Sequence, residues 1–73
     1  MHRDWVRTVF APQLGARPTA GRETLTDLLV VATDVYTWKL LRRDRRLDRA
    51  TAEWRVRDMI FALLAAPQPA TSA

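Results

Sequence analysis

The run from Leu28 to Asp44, LLVVATDVYTWKLLRRD, is apolar on nearly every side when wound as a helix, and it holds one acid, Asp34, in its middle. A helix that is apolar all round is buried all round. A chain of 73 residues has little else with which to surround it. Packing surface from outside the chain is therefore part of the expected fold.

The rest of the composition narrows the chemistry. With no cysteine, disulfides are excluded and nothing points to secretion. The single histidine, His2, is expected to be solvated at the terminus, and it cannot build a structural metal site alone. The net charge is +4, with eleven arginines and one lysine, Lys39. Acids are mixed among the arginines, so the basic balance reads first as a solvated face. Residues 1–12 carry Arg3, Asp4 and Arg7 without a continuous apolar core, so no signal peptide is expected. The longest apolar stretch, Leu28 to Ala32, is far below the roughly 18 residues of a membrane span. Both readings point to the cytoplasm and to no membrane partner.

Three helices are expected, with no strand and no repeat. The first covers about Arg3 to Ala11, where Trp5, Val6, Val9 and Phe10 form one apolar stripe. Pro12 ends or kinks it, and Gly15, Pro18 and Gly21 mark a loop. The second helix starts at Ala20 or Thr24, with Thr19 and Thr24 as candidate caps and the earlier start preferred, and runs to Asp44. Arg45, Arg46 and Leu47 make a short turn. Asp48 caps a third helix from 49 to about 65, and Leu47 can staple onto Ala52. So short a connection makes the last two helices antiparallel neighbours, a long hairpin. Residues 1–66 form the helical unit, and the tail at 67–73, PQPATSA, is expected to be disordered.

The faces of these helices point to self-association. On the third helix, Ala52, Val56, Met59, Ile60 and Leu63 make a core stripe, while Trp54 and Phe61 lie almost opposite it. On the second, Leu25, Leu28, Ala32, Val35 and Tyr36 cover one side, Val31 and Trp38 another, and Val30, Leu41 and Thr37 much of a third. Two such hairpins would pack as a four-helix bundle, burying both faces.

The segments VVATDVYTWKLLRRDRRLDRATAE and HRDWVRTVFAPQL resemble the C-terminal end of the regulatory domain of TetR/AcrR-type transcriptional repressors. The likeness covers most of residues 2–65. It implies an all-helical homodimer in which the last two long helices form the four-helix bundle. It implies further that operator contact belongs to a helix-turn-helix domain, for which nothing in this sequence has the size or pattern. Relatives tend to have glycine where this chain has Arg46; a non-Gly residue there, at φ > 0, costs on the order of 1 kcal/mol. Asp48 stands where a capping Ser is usual. The expected function is a non-enzymatic dimerisation and effector-domain fragment, truncated or remnant. Its partner would be a second copy or a full-length paralogous regulator. The expected interface comprises Val31, Val35, Trp38, Trp54, Met59, Phe61 and Leu64.

Two other readings stay open. In full-length relatives the penultimate helix helps line a ligand pocket, which suggests Thr33, Asp34, Tyr36, Thr37 and Trp38 as lining residues, with effector binding needing helices beyond these. Asp34 could equally be an internal partner of a third-helix arginine or of the Trp5 indole. The alternative function is a small basic nucleic-acid binder using Arg42, Arg43, Arg45, Arg46 and Arg49 around the turn 42–49. Asp44 and Asp48 inside that cluster, and the lack of a base-reading helix, argue against sequence-specific DNA contact. Catalysis, cofactors and metals are not expected: Ser72 is in the tail, and no nucleophile sits beside a base.

Overall fold

A computed structural model describes residues 2–66 of the chain. The tail at 67–73 lies outside the described residues. Those described fold as an all-α unit of five α-helices: α1 (His2–Val9), α2 (Ala11–Gly15), α3 (Thr19–Ala32), α4 (Val35–Lys39) and α5 (Arg49–Ala65), with a π-helical turn at Leu40–Asp44 between the last two.

The expected first helix is two. The chain bends at Phe10, and Pro12 falls in the first turn of α2, where an amide would have no helical partner in any case. The bend keeps the Phe10 amide on the Val6 carbonyl (2.9 Å) and the Leu14 amide on the Phe10 carbonyl (2.9 Å). Val6 and Leu14 thus reach the same core from both pieces. Helix α3 takes the earlier start, at Thr19, but neither threonine caps it; Pro18 precedes the first turn.

The expected second helix is also broken, at Thr33 and Asp34. Thr33 sits at φ −102°, ψ 4°, and Asp34 is extended at φ −70°, ψ 148°. Both residue types offer the backbone side-chain hydrogen bonds that compete with helix propagation. The Thr33 hydroxyl donates to the Leu29 carbonyl (2.7 Å), and the Asp34 carboxylate accepts from the Tyr36 amide (2.8 Å). The carbonyl of Val31, which loses its helical partner at the break, accepts from the Asp34 amide (3.3 Å) and the Thr37 hydroxyl. Asp34 is therefore the N-cap of α4 rather than an acid within a continuous helix.

Helix α3 lies between α1 and α5 and runs antiparallel to both. Along α1, Arg3 pairs with Asp27 (2.6 Å) and Glu23 (2.9 Å), and Arg7 reaches Glu23 (3.5 Å), so rising numbers meet falling ones. The two carboxylates, Asp27 first, hold the Arg3 guanidinium pKa above its ordinary value. At the other side, Arg17 before α3 donates to the carbonyls of Leu64 (2.7 Å) and Leu63 (3.4 Å) at the end of α5. A cation there satisfies orphan carbonyls and sits at the negative end of the helix dipole.

The core is Val6, Leu14, Leu25 and Leu29, flanked by Phe10, Val30, Ile60, Leu63 and Leu64. The inner face of α3 is Gly21, Leu25, Leu29 and Ala32, at helical spacing. Leu28, expected beside Leu25 and Ala32, is instead exposed, and Leu29 takes the central place. Because the helix stops at Ala32, Val35 and Tyr36 no longer extend that stripe, and both are exposed. Ala52 is fully buried on α5, where its small side chain allows close packing.

The turn into α5 carries a positive φ at Arg46, 56°. The Arg45 amide bonds back to the Leu40 carbonyl (2.9 Å) in a π turn, and the Leu47 amide reaches the Leu41 carbonyl (3.0 Å). Asp48 then caps α5 by accepting from the Thr51 amide (3.3 Å). Hydrogen bonding from the Thr51 side chain is the main reason its carboxyl lies below the ordinary value of 3.8, with the Thr51 amide and the Arg42 charge adding to it.

Candidate functional site

Two surfaces stand out. The first is an open groove of about 660 Å³ at the α3–α4 break. Trp5, Val35, Trp38, Val56 and Ile60 give it an apolar wall, and His2, Thr33 and Asp34 form its polar edge. The break builds this groove: where the backbone leaves the α3 axis, Trp38 of α4 lines it together with Val56 and Ile60 of α5.

His2 is not solvated as expected. Its ring stacks on Trp5 at 5.6 Å with the planes 12° apart, and its Nε2 lies 3.2 Å from the Val30 carbonyl and 2.9 Å from the Thr33 hydroxyl. A carbonyl only accepts, and the Thr33 hydroxyl already donates to Leu29, so Nε2 carries the proton in this network. His2 thereby docks the start of α1 onto the last turn of α3.

The expected lining residues divide. Thr33 and Asp34 are at the groove. The Thr37 hydroxyl is tied to the Val31 carbonyl, and Tyr36 is 74% exposed, with Lys39 over its ring at 5.1 Å. Trp38, expected at both the interface and the pocket, is half-buried in the groove wall. Asp34 meets neither a third-helix arginine nor the Trp5 indole; its bond is to the Tyr36 amide. The groove is shaped for an apolar side chain or small apolar molecule. Among the described residues no cluster of His, Cys, Asp or Glu could hold a metal ion.

The second surface is the outer face of α5. Trp54 is 55% exposed and Phe61 54% exposed, and the guanidinium of Arg57 lies over both rings, at 4.9 and 4.8 Å from their centres. Among the other expected interface residues, Val31 (64% exposed) and Val35 face solvent, and Met59 is half-buried. Leu64 is turned inward against the core, because α5 presents its Leu63–Leu64 edge to α3.

At the basic turn, Arg42 donates to the Leu47 carbonyl (3.3 Å) and Arg49 pairs with Glu53 (3.0 Å). Those two arginines serve the chain's own turn and helix. Arg17, which closes the end of α5, is marked by no periodicity or motif; the one hint is a basic residue just before Pro18 in a loop.

Comparison of the chain with protein-family models, with curated proteins and with solved structures found no match.

Proposed function

We propose that this chain is a non-enzymatic interaction module that pairs with a second copy of itself or with a full-length paralogous regulator. In this reading it serves as the dimerisation end of a TetR/AcrR-type regulatory domain. One observation carries the proposal. Nine large apolar side chains are exposed among the described residues, against six buried apolar residues, two of which are alanines. An excess of exposed aromatic and branched side chains over core supports the reading that part of this surface meets another protein. A four-helix arrangement, α3–α4 and α5 from each of two copies, would cover Val31, Val35, Trp54 and Phe61. DNA contact belongs, on this view, to a separate helix-turn-helix unit, and an effector would enter the groove only with further helices to close it.

A nucleic-acid role for the turn has less support, since Arg42 and Arg49 are engaged internally and Asp44 and Asp48 dilute the charge. Sedimentation equilibrium across micromolar concentrations tests the proposal. A concentration-dependent dimer is expected; a stable helical monomer throughout would sink it.

A further inference from the structure

The outer face of α5 is a palindrome in chemistry. Its residues are Ala50, Trp54, Arg57, Asp58, Phe61 and Ala65, spaced four, three, one, three and four apart. At about 100° per residue these six fall on one side of the helix, opposite the core-facing Ala52, Ile60 and Leu63. All six are exposed. Read from either end, the order is small, aromatic, charged, charged, aromatic, small.

We propose that α5 pairs with α5 of a second copy, antiparallel, with the two-fold axis passing between Arg57 and Asp58. This rests on the self-association reading above and gives it a register. An isologous contact requires that residue i meet j and j meet i. About this axis Trp54 meets Phe61 of the other copy, Ala50 meets Ala65, and Arg57 meets Asp58, each contact made twice. The alanines at both ends let the helices converge around the bulky rings. The charges are complementary only in this orientation: a parallel pairing would set Arg57 on Arg57 and Asp58 on Asp58.

The state of Arg57 fits such a partner. Its guanidinium carbon lies close to the rings of both Trp54 and Phe61 of its own helix. Its N–H groups donate to no protein acceptor among the described residues, and Asp58 has no ion-pair partner there. A guanidinium held between aromatic rings keeps its donor edge preorganised for a carboxylate.

Charge-swapped variants test the register. Arg57→Asp sets the introduced carboxylate against Asp58 of the other copy at both contacts. Asp58→Arg sets the introduced guanidinium against Arg57 of the other copy, again twice. Each alone should weaken self-association by at least about tenfold, because like charges face each other across the interface. Mixed together, the two variants form a heterodimer with opposite charges at both contacts, and association should return. Both substitutions are exposed, and circular dichroism checks that each chain keeps its helix. A second arm uses the absence of native cysteine. In a chain carrying both Ala50→Cys and Ala65→Cys, the thiols lie roughly 22 Å apart along one helix, beyond disulfide reach within the chain. Oxidation should link position 50 of one copy to 65 of the other. If the wild type dimerises but the single variants do too, or the mixture stays dissociated, or the cross-links join 50 to 50, the register is wrong while self-association stands. A monomeric wild type overturns both.

Discussion

Arg46→Gly should stabilise this chain. Arg46 sits at φ 56°, the left-handed region, and is the sole non-glycine there among the described residues. Its backbone lets the Leu47 amide fold back onto the Leu41 carbonyl, so the turn into α5 depends on that conformation. For an L-residue the left-handed region costs about 1–2 kcal/mol, from the approach of Cβ to the following carbonyl. Glycine removes that cost but adds unfolded-chain entropy of about 0.5–1 kcal/mol. At mid-range the balance is a gain of about 0.75 kcal/mol, or about 3–6 °C in Tm for a domain of this size. Removing an arginine also relieves repulsion among Arg42, Arg43 and Arg45, so the comparison needs Arg46→Ala, which loses the same charge and keeps the Cβ. Thermal melts at one fixed protein concentration, needed because association shifts Tm, should rank glycine above both alanine and arginine. If the glycine and alanine variants melt together, the backbone argument is refuted and only charge is at work.

Three further substitutions probe the joints of the fold. Arg17→Ala should cost about 1.5–3 kcal/mol in urea unfolding through loss of charge-assisted bonds to the end of α5, and Arg17→Lys, without the fork, should recover only part of it. Asp34→Ala should cost about 1 kcal/mol by uncapping α4, while Asp34→Asn keeps most of the stability. Asp48 has a folded pKa below its unfolded one, so its contribution is fully present above the ordinary 3.8 and is lost as pH falls through the lower folded value. Acid titration of stability should show a component in that window that Asp48→Asn abolishes.

The helical class is legible in the sequence because apolar spacing near 3.6 is local and repeated. The start of α5 is legible for a similar reason: Asp48 and the residues it caps lie within one turn. Arg46 stands out because its position after a helix end demands a conformation that few residues accept. The break at Thr33–Asp34 is less visible. Neither residue forbids a helix; what decides is a contest between side-chain and backbone acceptors, and Thr37, four residues beyond Thr33, helps settle it by taking the Val31 carbonyl. The docking of His2 on Thr33 and of Arg17 on Leu64 joins residues far apart in the chain, and no periodicity announces such pairs. Leu29 becomes the centre of the core only once the break removes Val35 and Tyr36 from the stripe.

That break also divides the molecule by local stability. Neither α4 nor the π-helical turn after it contains a fully buried residue, whereas α1, α3 and α5 each contribute one or more. Opening the stretch Val35–Asp44 therefore exposes little new apolar surface, and its amides should exchange with solvent through a small local excursion rather than through global unfolding. The α1–α3–α5 layer then acts as the frame, and the stretch between α3 and α5 as its compliant joint. Anything that seats against Trp38 would slow exchange at amides spread over the whole joint, a signature far wider than its own footprint.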